Sequence, residues 1–180
     1  DEYVGEDREA AEELLDRAFE AEDIEKPFEV SLITNVNATR ERWMEVIQQT
    51  LDETEYFDAS LDIQAFDSLV PFLTSGDAAE STDLVGIGWT GGSDPDQHVN
   101  PLFHSDNHVP DGFNWNRYEN DQVDELIDQG RRTSDVAERK GIYEDLAEVL
   151  AQDCPAAFMW TSEEYAVHRT DGVTNWRQHP

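Results

Sequence analysis

The chain has 180 residues, with 42 Asp and Glu against 12 Lys and Arg, so its formal net charge is −30. This charge excludes binding to nucleic-acid backbones or anionic membranes through a general basic surface. The single cysteine, Cys154, excludes an intrachain disulfide, and no apolar run is long enough for a transmembrane helix. Five Trp, eight Phe and five Tyr argue against disorder, and the length fits one domain or part of a larger one.

The charged residues are dispersed along the chain rather than gathered in one run. Lys26 and Lys140 are the only lysines, and the other basic residues are arginines. This pattern is typical of proteins adapted to high salt, where screening removes most of the repulsion between surface carboxylates. It predicts a salt-loving source, a haloarchaeon, and indicates that most of the acids solvate the surface rather than carry chemistry.

Helices and strands alternate through the first half of the chain. Strands are predicted over 28–32, 61–65 and 83–89. Helices are predicted over 7–22, 37–54 and 67–75, capped by Asp7, Asn37 and Asp67 respectively, and Gly76 ends the third helix. In the first helix the predicted inner face consists of Ala11, Leu14, Leu15 and Ala18. The run over 83–89 is almost continuously apolar, which favours a strand buried on both faces. This order predicts an α/β fold with a parallel or mixed sheet and flanking helices.

The second half begins with a change of character over residues 90–119, which hold three of the prolines and three of the histidines. We predict a long structured loop there, and loops of this length in compact domains are often functional. Helices follow over 123–130 and from a Ser134 cap to Pro155, with Cys154 expected to be buried. The last predicted elements are two paired strands, over 156–160 and 165–168.

A candidate ligand site directly follows the third predicted strand. In open α/β sheets, ligands bind outside the carboxyl ends of the strands. Trp89 offers a stacking surface, and Gly91 and Gly92 allow close approach of the backbone. Asp94 and Asp96 offer negative charge to an amine or a metal. An ordinary surface turn, with both aspartates as turn formers, stays open as an alternative.

A second candidate is a metal site in the same loop, because imidazole and carboxylate ligands suit several divalent ions. Its possible ligands are His98, His104, His108, Asp94, Asp96 and Asp106. Their spacing matches no compact metal motif, and the chain has neither a nucleophile elbow nor a phosphate-binding glycine loop. A metal-dependent hydrolase domain is therefore the alternative function, and an acidic module that mimics nucleic acid is a third possibility.

Several segments, in chain order, resemble the C-terminal lobe of family 5 extracellular solute-binding proteins, which serve ABC importers of dipeptides, oligopeptides and nickel. The segments are residues 7–15, 40–49, 88–96, 114–127 and 138–143 with 153–156. Residues 88–96 read Gly-Trp-Thr-Gly-Gly-Ser-Asp-Pro-Asp, similar to the family's Gly-Trp-x-x-Asp-x-x-Asp-Pro pattern. The resemblance covers nearly the whole chain.

The resemblance implies a non-enzymatic module: the C-terminal lobe of a two-lobed, periplasmic-binding-protein-like fold, spanning residues 1–180, with 90–119 as its ligand-side loop. It implies capture of a peptide or other small solute outside the cell, without metal or cofactor. The implied partners are a missing N-terminal lobe and ABC permease subunits, and the implied location is the cell surface, through a lipid anchor on the full-length protein. The implied ligand-binding residues are Trp89, Thr90, Gly91, Gly92, Asp94, Asp96 and Asn114.

One departure from the family pattern concerns the aspartate that holds a peptide's amino group in peptide-binding members. Here Gly92 or Ser93 occupies that position, allowing for a gap of one residue. Either Asp94 substitutes for the missing carboxylate or the solute has no amine.

Overall fold

The computed structural model describes residues 7–161 and Arg169. Its strands are β1 (Phe28–Asn35), β2 (Phe57–Gln64) and β3 (Leu84–Gly86). Its helices are α1 (Arg8–Ala21), α2 (Ala38–Asp52), α3 (Phe66–Ser75), α4 (Ala78–Ser81), α5 (Asp96–Phe103), α6 (Asp121–Arg132) and α7 (Val136–Asp153), with a 3₁₀ turn at Ser105–Asn107. Within the described residues, none of these helices combines the length and the apolar character needed to cross a membrane.

The strands form one parallel sheet in the order β2-β1-β3. Val30 lies opposite Ala59, and Leu32 lies opposite both Leu61 and Leu84. Parallel strands need crossover connections. Helix α2 connects β1 to its neighbour β2, and α3 with α4 connects β2 to β3, which lies on the other side of β1. The predicted α/β class is confirmed, and the described sheet is parallel throughout.

The buried strand is β1 rather than β3. Leu32 and Ile33 of β1 are 1% and 4% exposed, whereas Leu84 of β3 is 45% exposed. In the described part of the chain β3 pairs only with β1. The prediction of a strand over 83–89 buried on both faces is therefore wrong there, because an apolar run does not decide which strand takes the centre of a sheet.

Helices cover both faces of the sheet. Successive side chains of a strand point to opposite faces, so Leu32 packs in one cluster with Met44 of α2, and Ile33 packs in another with Leu69 and Leu73 of α3. A separate core joins α5, α6 and α7. Its buried members are Phe103, Val123, Ile127, Leu146 and Leu150. This second core supports the chain that follows β3.

Three helix boundaries agree with the sequence signals. The carboxylate of Asp7 accepts a hydrogen bond from the backbone N–H of Ala10 (3.0 Å), and Asn37 caps α2 with its side-chain oxygen. Gly76 ends α3 with φ of 89°, a left-handed conformation that costs glycine little.

Two predicted caps are wrong by one or two positions. Helix α3 begins at Phe66, so Asp67 lies inside its first turn and does not cap it. Helix α7 is capped by Asp135, whose carboxylate accepts from the backbone N–H of Ala137 (3.0 Å), rather than by Ser134. Ser134 and Asp135 can both cap a helix, so the path of the incoming chain decides between them, whereas α3 follows Ala65 and has no side-chain cap.

Helix α1 buries a residue outside its predicted inner face. Phe19 is 7% exposed and packs edge-on against the rings of Tyr56 and Phe57, with centroids 5.6 and 6.1 Å away. Leu14, at the centre of the predicted face, is 57% exposed. The largest side chain, which buries the most apolar area, sets the rotation of the helix.

Residues 90–119 are not a continuous loop. They contain α5 and the 3₁₀ turn at Ser105–Asn107. Helix α5 starts after Pro95, whose φ of −54° is already helical. The Asp-Pro pair at 94–95 therefore initiates a helix here, which corrects the loop prediction.

The predicted C-terminal strands are not part of the described sheet. Residues 156–160 have no strand conformation, and 165–168 lie outside the described residues. Cys154 is exposed, contrary to the expectation of burial, because it occupies the left-handed C-cap of α7 (φ 48°) where the chain leaves the helix.

Candidate functional site

The candidate site lies at the carboxyl edge of the sheet. Residues 88–93 follow β3. Because β1 and β3 are parallel, these residues lie at the edge of the sheet where β1 also ends and α2 begins. This is the side on which open α/β sheets bind ligands. We refer to residues 88–93 as the edge segment.

Trp89 anchors the edge segment. Its indole Nε1 donates a hydrogen bond to the backbone carbonyl of Gln97 (2.9 Å). Its ring packs against Phe113 and Trp115, with centroids 5.3 and 6.3 Å away. Because Trp89 is only partly buried, its ring also contributes to the surface.

The two glycines of the edge segment lie against the start of α5. The backbone N–H of Gly92 donates to the side-chain oxygen of Gln97, and His98 Nε2 donates to the carbonyl of Gly92 (2.9 Å). A Cβ on Gly92 would meet that Gln97 oxygen, and one on Gly91 would lie 3.1 Å from the Gln97 carbonyl. A larger residue at either position would therefore displace Gln97 or the segment, so α5 supports the segment while Thr90, Gly92 and Ser93 stay exposed.

Asp94 ties the edge segment to α7. Its carboxylate accepts from the backbone N–H of Asp96 (2.9 Å) and from Arg139 Nη2 (2.7 Å). The Arg139 guanidinium is the main reason that the pKa of Asp94 is lowered from its ordinary value. Arg139 also donates through Nε to the carbonyl of Gly130 near the end of α6 (2.7 Å). One guanidinium therefore joins the edge segment, α6 and α7.

Asp96 faces a small polar cavity of about 320 Å³ between α5, α6 and α7. The cavity is lined by Asp94, Asp96, Gln97, Arg131 and Arg139. Arg131 Nε lies 3.6 Å from Asp96 Oδ1, an ionic distance too long for a hydrogen bond. Both aspartates of the predicted site are thus turned toward arginines of the same chain.

The Asn114 side chain bonds to His104 and Tyr118 rather than to the edge segment. This side chain is 0% exposed. The side-chain oxygen accepts from the backbone N–H of Tyr118 (2.9 Å), and the amide nitrogen donates to the carbonyls of His104 (3.2 Å) and Tyr118 (2.8 Å). This amide holds the turn between α5 and α6.

The three loop histidines do not converge. His98 bonds to the Gly92 carbonyl, and His108 Nε2 lies 3.0 Å from the carbonyl of Tyr118. His104 is buried, and its Nδ1 accepts a backbone N–H of the 3₁₀ turn. Across residues 7–161, no group of three or more His, Cys, Asp or Glu side chains is placed to hold a metal ion. The residues of the metal-hydrolase alternative are therefore not brought together in this part of the chain.

Comparisons with known proteins give matches over parts of the chain, although no protein-family model matches. The glutathione-binding protein GsiB of Escherichia coli (strain K12) is 35% identical over 69 residues, which are 38% of this chain and 14% of GsiB. The oligopeptide-binding protein AppA from Bacillus subtilis, solved with a nonapeptide, has a TM-score of 0.63 at 27% identity. The periplasmic binding protein DppA from Helicobacter pylori, solved with the peptide STSA, has a TM-score of 0.70 at 22% identity.

The chain has the fold of a periplasmic binding protein. The matches cover 71% of this chain and 24% of AppA, and 83% of this chain and 28% of DppA. The chain thus spans about a quarter of the length of these structures. GsiB, AppA and DppA are each described as a binding protein, which agrees with the expectation that this chain is not an enzyme.

Sequence reasoning missed the partners that position the edge segment. In the sequence, Arg139 is only one position of the segment 138–143, yet in the structure it bonds to Asp94, 45 residues away. The available signal was the scarcity of basic residues. In a chain with only 12 of them, a semi-buried arginine is expected to pair with a specific carboxylate.

The Asp94–Arg139 pair predicts a measurable acid dependence of stability. Because the pKa of Asp94 is lowered in the folded state, its contribution is present above the ordinary pKa of aspartate and is lost as the pH falls through the lowered value. Asp94 is about half exposed, so Asp94→Asn should cost less than about 1 kcal/mol near pH 7. Urea unfolding at constant molar salt, from neutral pH to pH 3, should show the wild-type advantage shrinking as the pH falls below the ordinary pKa of aspartate. The control is Asp58→Asn, which replaces an exposed carboxylate on β2. If the wild type stays more stable than Asp94→Asn below the lowered pKa of Asp94, the Asp94–Arg139 pair is not the cause of the difference.

Proposed function

We propose that this chain is part of the substrate-binding component of an ABC importer, capturing a peptide-like solute outside the cell for delivery to a permease. The fold shared with AppA and DppA supports a solute-binding role. The homology to glutathione-binding GsiB supports a peptide-like solute.

The observation that carries this proposal is the edge segment itself. Its backbone is held from behind by Gln97, His98 and the Asp94–Arg139 pair, and its outer side is exposed at the carboxyl edge of the sheet. An exposed, glycine-rich backbone segment suits hydrogen bonding to an extended peptide, through the N–H and C=O groups other than those of Gly92, which bond to Gln97 and His98. We propose that residues 1–180 form the C-terminal lobe and that the solute lies between this edge and a second lobe of the full-length protein.

The predicted site residues take two roles in this proposal. Trp89, Thr90, Gly91 and Gly92 contact the solute directly. Asp94 and Asp96, engaged by arginines, fix the segment and contribute negative potential beside it, and Asn114 holds the supporting turn. The proposed location of the full-length protein is the outer cell surface, through a lipid anchor.

Solute binding is tested on the full-length protein, purified from its host in molar salt. Native mass spectrometry of the protein as isolated should detect a copurifying peptide-like solute. A free peptide at about a hundred times its Kd should stabilise the folded state by about 2.7 kcal/mol and raise the melting temperature. Free amino acids are the control. A library of peptides of two to nine residues that leaves the melting temperature unchanged, with no copurified peptide, contradicts the proposal.

A further inference from the structure

Arg40 lies at the carboxyl edge of the sheet without an acidic partner. Among the described residues no carboxylate approaches it within ion-pair distance, although the chain carries 42 acids. Arg131, Arg132 and Arg139 each pair with an aspartate, whereas Arg17, Arg42 and Arg117, which are exposed, share with Arg40 the lack of an ion pair among the described residues. Arg40 lies at the carboxyl edge of the sheet, and no carboxylate in the described part of the chain neutralises its charge. That charge is therefore available for another anion.

The guanidinium of Arg40 is oriented by its surroundings. Arg40 Nη1 donates to the side-chain oxygen of Asn35, which is 5% exposed and whose amide nitrogen donates in turn to the Val36 carbonyl (3.0 Å). Arg40 Nη2 packs over Gly88, where an added Cβ would lie only 2.6 Å from it. Glycine at 88 and a buried asparagine at 35 therefore place the guanidinium beside the first residue of the edge segment.

The position of Arg40 is unfavourable for the helix that carries it. Arg40 is the third residue of α2, and a cation in the first turn of a helix opposes the helix dipole. Arginine presents five N–H donors in a planar fork that matches a carboxylate, and Asn35 takes one of them. Arg40 is partly exposed, so the remaining donors are within reach of a bound molecule.

We infer that Arg40 binds a carboxylate of the solute, so that the substrate class is a peptide with a free carboxylate next to Gly88. This inference rests on the proposed function and deepens it. A charge-assisted, bidentate contact of this kind discriminates against a ligand in which the carboxylate is blocked as an amide.

The test uses the full-length protein and peptides of two to five alanine residues, each as the free acid and as the C-terminal amide. Affinities are measured by calorimetry in the same molar salt for the wild type and three variants. Arg40→Gln removes the charge, and Arg40→Lys keeps the charge without the fork. Arg42→Gln, at an exposed position of the same helix, is the matched control.

The wild type should bind the free acids about tenfold to a hundredfold more tightly than the amides. Arg40→Gln should abolish this ratio, Arg40→Lys should retain part of it, and Arg42→Gln should leave it unchanged. Because the ratio compares two ligands on one variant, a general loss of stability does not produce the result.

If the wild type binds acids and amides equally, or Arg40→Gln keeps the ratio, this inference is overturned and solute binding stands. If the wild type binds no peptide, the proposed peptide-binding function fails, and this inference fails with it.

Discussion

Dilution from about 3 M to about 0.1 M KCl is expected to lower the melting temperature by at least about 10 °C, roughly 3–5 kcal/mol for a chain of this size. The Debye length grows from about 3 Å at 1 M salt to about 10 Å at 0.1 M. Carboxylates on neighbouring surface positions then repel each other, and the compact state, which holds them close, loses stability.

The scarcity of cations makes this effect large. With 42 acids and 12 lysines and arginines, most carboxylates cannot have a basic partner. Even Lys26 is shared, since its amine lies 2.7 Å from Asp16 and 3.3 Å from Glu55. We therefore expect salt ions to supply the screening that ion pairs give in less acidic proteins.

Circular dichroism melts across a KCl series measure the effect. Replacing Glu13, Glu20 and Glu45, all exposed, with glutamine should lower the salt concentration at which the protein is half folded. Sucrose, which is excluded from protein surfaces but does not screen charge, is the control and should not replace KCl. Equal melting temperatures in dilute and molar KCl would show that charge repulsion does not limit stability.

Asn114→Ala is expected to destabilise the protein by about 2–4 kcal/mol, an effect as large as the loss of a core side chain. The substitution removes the buried amide that bonds to both backbone groups of Tyr118 and to the carbonyl of His104. Buried polar groups left without partners carry their full desolvation penalty.

Urea unfolding at constant molar KCl tests this assignment, with a lower midpoint at unchanged slope as the expected result. Asn116→Ala is the matched control, because Asn116 is exposed and its side-chain amide donates to the Pro155 carbonyl (2.9 Å). Its loss should cost less than about 1 kcal/mol. If Asn114 instead served as a solute contact, Asn114→Ala would leave the urea midpoint in place and weaken binding.

Much of the fold could be predicted because its signals are local. Alternating and periodic apolar residues predicted β1, α2 and the helices after residue 120, and Asn37 and Gly76 marked helix ends that the structure confirms. The strand–helix–strand order also predicted a parallel sheet whose carboxyl edge carries the edge segment. Each of these inferences depends on neighbours within a turn or a strand, which the sequence presents directly.

The order of elements, the α/β class, the excess of acids and the position of the segment after β3 can thus be read from the sequence. Other features appear only when the elements pack together: β1 is the central strand, Asn114 is buried, Arg139 bonds to Asp94 and Arg40 packs over Gly88. These contacts join residues far apart in the chain, because they arise from how whole helices dock on the sheet. Periodicity specifies that a helix has an apolar face, but not which polar side chains that docking brings together.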